Sequence, residues 1–129
     1  MTAILKPHTG DDLVVNWWKW RPTVAALVRA GILPEGERSE RCLANGCGGY
    51  LTQQEAKVAA KYIGSLLEQM RPHERIMLEG GMTSNERRTL HMPVTEWNEN
   101  DRQEIYSGDT AWLATFRDFC SRSGGFTVV

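Results

Sequence analysis

The sequence predicts an α+β fold, a small single domain with three to four helices packed on a small, mixed or antiparallel sheet. Two observations carry that reading. Apolar residues recur at helical spacing after Thr52 and again after Asp109, whereas the β-forming runs are short and scattered. Hydrophobic residues make up 41% of the chain and charged residues 24%, the balance of a folded domain and not of a disordered one. At 129 residues the chain has the size of one domain. Such a chain removes roughly two-thirds of its unfolded surface from water, so it needs no disulfide or metal to fold.

Taken in order, residues 1–12 are polar with Pro7 and Gly10 and are expected as a flexible N-terminal arm, with residues 13–129 as the globular domain. Leu13–Trp18 is a run of β-formers and predicts a strand. Pro22 suits the first turn of a helix, where its missing N–H costs nothing. Val24, Leu27 and Val28 give that helix one apolar face, and Gly31 supplies a left-handed end. The charged stretch Glu35–Ala44 predicts a turn or two of helix, ended by Asn45-Gly46-Cys47-Gly48-Gly49.

Thr52 and Glu55 form a capping box ahead of Ala56, Ala59, Ala60, Ile63, Leu66, Leu67 and Met70, so a helix runs from there to Pro72. Ile76-Met77-Leu78 predicts a buried strand, and Gly80-Gly81 a turn after it. Residues 82–108 read as a long loop with a strand around Leu90–Thr95. Asp109 is an N-cap type, and Trp112, Leu113, Phe116, Phe119 and Cys120 follow as a core-facing helical stripe. Gly124-Gly125 stops that helix, and Phe126–Val129 returns as a strand.

Composition excludes several function classes. The net charge of −1 gives no global basic field, and Arg71, Arg75, Arg87 and Arg88 form no stripe with interleaved aromatics, so nucleic acid is not an expected partner. Apolar runs such as Val24–Val28 are far too short for a bilayer, and Met1–Gly10 lacks the apolar core of a secretory signal. Three cysteines, an odd number, fit free thiols in a cytoplasmic setting. Phosphate-loop, dinucleotide-binding, zincin and nucleophile-elbow patterns are absent.

Three constellations stand out. Trp17, Trp18, Trp20 and Arg21, if extended, place Trp18 and Trp20 on one face, either as a wall for a cation or planar ligand or as plain core. Cys42 and Cys47 flank Asn45-Gly46, but two thiols and a third on a helix stripe make an incomplete zinc set, so no metal and no cofactor is expected. The glycines leave backbone N–H groups of that turn open to an anion, beside the blander role of forming the turn. His91, between Leu90 and Met92, lies near the acidic segment with Trp97 and has the ordinary pKa of a switch.

Asn16–Pro22 (NWWKWRP), Asn45–Gly49 with Thr52 and Glu55, and Phe116–Phe126 (FRDFCSRSGGF) together resemble a group of small bacterial proteins with a Trp-x-Trp-Arg-Pro start and a Cys-x-x-Ser-Gly-Gly-Phe end. The resemblance implies an intracellular accessory protein of similar length and carries no activity with it.

The residues therefore lead to a non-catalytic binding domain for a small molecule or partner protein. Its site is expected among Trp18, Trp20, Arg21, Asn45, Cys47, His91 and Trp97. A thiol- or His-dependent enzyme using Cys47 or His91 is the alternative, and a homodimer whose assembly is its function is a third.

Overall fold

Alternation of buried and exposed side chains builds the first sheet. In β1 (Thr2–Pro7) Ala3 and Leu5 turn inward while Thr2 and Lys6 face out, the period-two pattern of a strand wet on one side. The same alternation recurs in β2 (Leu13–Asn16), β3 (Gly49–Leu51) and β7 (Phe126–Val128). The four strands pair antiparallel in the order β2-β1-β7-β3, with Ile4 opposite Val14 and Tyr50 opposite Thr127. A second antiparallel sheet, β5-β4-β6, comprises Met82–Thr83, Arg75–Met77 and Ser107–Asp109. The computed structural model describes residues 2–83 and 106–129.

Four helices stand among the described residues: α1 (Trp17–Arg29), α2 (Glu37–Arg41), α3 (Gln53–Gln69) and α4 (Thr110–Ser123). With two antiparallel sheets they make a small α+β domain. The capping box forms as expected: Glu55 N–H donates to Thr52 Oγ1 at 3.1 Å, and Thr52 N–H donates to Glu55 Oε1 at 2.9 Å. Asp109 caps α4 through Trp112 N–H at 2.8 Å, and the whole Trp112–Cys120 stripe is buried. Phe126 returns against Phe119, ring centroids 5.2 Å apart.

Two expectations are overturned. Residues 2–7 are no flexible arm: β1 is an interior strand, paired on both edges, with Ala3 and Leu5 wholly buried. Hydrogen bonding to β7 near the other end of the chain overrides the local polarity of this segment. The strand expected at Leu13–Trp18 ends at Asn16, because the Asn16 side chain accepts from Lys19 N–H at 3.0 Å and starts a helix at Trp17. Trp17, Trp20, Val24 and Leu27 then fall inward at helical spacing. Pro22 consequently sits in the second turn of α1, where it offers no N–H to the Trp18 carbonyl. Gly31, at φ +74°, ends α1 as expected: its N–H bonds Val28 O and the Ile32 N–H bonds Leu27 O. The strand expected around Leu90–Thr95 lies outside the described residues.

The core lies between the inner face of the four-stranded sheet and α1, α3 and α4. At its centre Trp20 meets the rings of Phe116 and Phe126 edge-on, at 5.7 and 6.3 Å. Trp112 stacks on Phe116 at 5.6 Å and donates its indole N–H to Thr23 Oγ1 at 2.9 Å. Where β3 begins, the backbone of α2 passes so close to Gly49 that a Cβ there would lie 2.4 Å from Cys42 N. Gly49→Ala should therefore push α2 away and lower stability by about 1–3 kcal/mol. Urea unfolding of the variant, with an unchanged midpoint as the contrary result, checks this.

Candidate functional site

The outward face of α1 starts at Trp18 and continues turn by turn through Arg21, Ala25, Val28 and Arg29. Facing it are Glu35, Gly36, Ser39, Glu40 and Leu43 on and around α2, with Leu78 from the turn after β4. Between these walls lies a cleft of about 710 Å³. Val24, Ala25, Val28, Leu43 and Leu78 line it with apolar surface, and two arginines and two glutamates supply charge. An apolar cavity of several hundred Å³ with a few polar groups is the usual form of a ligand site.

Two interactions fix the distance between the walls. The buried Trp20 N–H donates to Cys42 O at 2.9 Å, tying the end of α2 to the first turns of α1. From the other side Arg38 of α2 donates both Nη groups to Glu55, at 2.7 and 2.5 Å, with its guanidinium 4.7 Å from the Tyr50 ring centroid. Glu55 thus caps α3 and holds α2 at once. Ser39 braces the start of α2, donating to Gly36 O at 2.9 Å and accepting from Gly36 N–H at 3.0 Å.

The electrostatics follow from these contacts. Partial burial pushes the Glu55 carboxyl up, but the Arg38 hydrogen bonds and the Thr52 N–H together outweigh it and hold the pKa below its ordinary 4.5. The Glu55 hydrogen bond likewise raises Arg38. Arg21 is held differently. Its guanidinium lies 5.3 Å from the Tyr106 ring centroid and 5.9 Å from that of Trp17, and among the described residues no carboxylate pairs with it. Tyr106 in turn packs on Trp18, centroids 4.8 Å apart. Arg29 commits one Nη1–H to Leu78 O at 2.8 Å and also has no ion-pair partner among the described residues. The Trp17 indole N–H, beside Arg21, is buried and has no hydrogen-bond partner among the described residues.

Of the residues that the sequence singled out, Arg21 lines the cleft and Trp18 adjoins it through Tyr106. Trp20 is wholly buried and belongs to the core. Because the tryptophans are helical and not extended, Trp18 and Trp20 point to different sides. Asn45 sits at the end of the sheet, its Nδ2 donating to Thr2 O at 3.0 Å and Val129 O at 3.4 Å. Cys47 is exposed in the same turn, its Sγ 3.5 Å from Asn45 O, and neither residue lines the cleft. His91 and Trp97 lie outside the described residues. Among the described residues no group of three or more His, Cys, Asp or Glu side chains gathers as a metal site.

Sequence reasoning missed Ala25, Arg29, Glu35, Glu40, Leu43 and Leu78. Val28, which it placed on the core face, packs against the core and also lines the cleft. The available signal was that α1 carries apolar residues on two faces, more than one core contact requires. No protein-family model, no curated protein and no solved structure matches this chain.

Two measurements test the site. Glu55→Gln should cost about 1–2 kcal/mol at neutral pH, where the charged Arg38 pair is intact. A folded-state pKa that is depressed gives stability present above the unfolded value and lost as pH falls through the folded one. The difference between the two proteins should therefore shrink below about pH 4.5 in thermal melts taken across pH. Burial pushes the Cys42 thiol up to about 11 and raises Cys120 further, so iodoacetamide at neutral pH should label Cys47 alone until the protein is denatured.

Proposed function

We propose that this protein is a non-catalytic binding domain whose ligand, a small amphipathic molecule, occupies the cleft between α1 and α2. The observation that carries this reading is the cleft itself, apolar-lined and flanked by Arg21 and Arg29, neither of them ion-paired among the described residues. Such cations at the edge of apolar surface are poised for an anionic or polar head group on an apolar body. Both walls are fixed before any ligand arrives, by the Trp20–Cys42 hydrogen bond and the Arg38–Glu55 pair, so little ordering would be needed on binding.

Two of the three thiols are unsuited to nucleophilic chemistry. Cys42 and Cys120 are buried with raised pKa values, the reverse of what a nucleophile requires. Three free cysteines support the further proposal of an accessory protein working in a reducing cytoplasm. No helix among the described residues is long and apolar enough to cross a membrane.

An apolar fluorescent probe such as anilinonaphthalene sulfonate should bind at one site and perturb the emission of the tryptophans beside Arg21. Ala25→Glu and Leu43→Glu each place a carboxylate on the cleft lining at partly or fully exposed positions, and each should abolish probe binding while leaving the melting temperature nearly unchanged. Probe binding that survives both substitutions would remove the cleft as the site.

A further inference from the structure

We propose that β2 is an assembly edge, through which two copies of this chain join antiparallel and run their four-stranded sheets into one continuous sheet. The proposal is independent of the cleft and its ligand.

Backbone direction shows which groups of the edge are free. Ile4 exchanges two hydrogen bonds with Val129, its N–H donating at 3.2 Å and its carbonyl accepting at 2.8 Å, so its polar groups point to the β7 side. Val14 stands opposite Ile4 on the β2 side. The two are therefore not a hydrogen-bonded pair, and the N–H and C=O of Val14 point away from β1. Asn16, two residues on, turns its N–H the same way. Val14 is also 59% exposed, the most open of the large apolar side chains among the described residues.

The other edge of the sheet is closed. Its outward N–H, that of Tyr50 on β3, meets the Cys42 thiol at the end of α2. Nothing among the described residues covers β2 in this way, and its sequence Leu-Val-Val-Asn holds neither the lysine nor the proline that commonly blunts an edge.

A two-fold axis and the charges then select the register. Only even-numbered residues of this segment turn their polar groups outward, so hydrogen-bonded pairs join even to even. An axis at Asp12 would set two carboxylates opposite each other, and one at Leu13 would set Asp11 against the buried Val15. An axis at Val15 would carry the pairing into Trp17, which is already helical. An axis at Val14 avoids all of these. Val14 then pairs with Val14 of the other copy, Leu13 with Val15, and Asp12 with Asn16. The valines exchange both of their hydrogen bonds, and each Asn16 N–H donates to an Asp12 carbonyl, while the Asn16 carbonyl serves the start of α1. On the outer face Ile4 and Val14 of both copies form an apolar row. Lys6, 3.9 Å from Asp12, offsets the one charge that the junction brings in.

Sedimentation velocity across a dilution series should show a monomer–dimer equilibrium. Val14→Pro removes an outward N–H that serves no bond to β1, and should abolish the dimer while circular dichroism stays unchanged. Val14→Lys should do the same, and keeps the test decisive if the proline disturbs β2. In a Cys47→Ser background, which removes the exposed thiol, Val14→Cys should be joined to its counterpart by bismaleimidoethane, because a hydrogen-bonded pair stands about 5.5 Å apart. Thr127→Cys, also exposed, should not be joined, since about five strand spacings place it about 24 Å from its counterpart. A chain that sediments as a monomer at every concentration overturns the proposal. A dimer that persists in both Val14→Pro and Val14→Lys overturns it too, as does crosslinking at 127 in place of 14.

Discussion

The indole of Trp20 is the contact on which the remaining architecture depends. It fills the centre of the core against Phe116 and Phe126, joining α1 to α4 and to the returning strand β7. Its one polar atom, fully buried, would carry a desolvation penalty without an acceptor, and the acceptor it finds is the Cys42 carbonyl just beyond α2. Apolar packing thus fixes the ring, and the need to satisfy the N–H fixes α2. A helix of five residues has too few turns to hold itself in place, so its position comes from outside.

Glu55 supplies the other restraint. A capping-box glutamate ordinarily serves only the backbone of its own helix. Here the same carboxylate also accepts from both Nη groups of Arg38, and the Tyr50 ring covers that guanidinium. The start of α3, the edge strand β3 and α2 are thereby joined through one side chain. The close approach of Gly49 to the Cys42 backbone completes the attachment, since no larger residue would let the two segments meet.

With α2 held from both sides, the space between it and α1 stays open. The side chains that face this space are short or branched apolar residues, and the long charged ones extend along its sides. Packing elsewhere in the domain brings opposite charges together, as in Arg38 with Glu55 and Arg41 with Glu37. Among the described residues it does not do so in the cleft, where Arg21 lies against the rings of Trp17 and Tyr106.

The sequence by itself determined the elements whose signals are local: the Thr52 capping box and the helix behind it, the Asp109 cap with its buried stripe, the Gly31 helix end and the terminal strand at Phe126. Each follows from hydrogen bonds or side-chain spacing within a few residues, so no distant contact is needed to read it. Tertiary structure decided what depends on partners far along the chain. Thr2–Pro7 is an interior strand because β7, more than a hundred residues later, pairs with its second edge while β2 pairs with the first. Trp20 is core and Arg21 is a cleft residue because the Asn16 cap turned an apparent strand into a helix, which sends neighbouring side chains to different faces. The cleft itself arises from the placement of α2 by Trp20 and Glu55, contacts 22 and 17 residues apart in sequence that no local pattern announces.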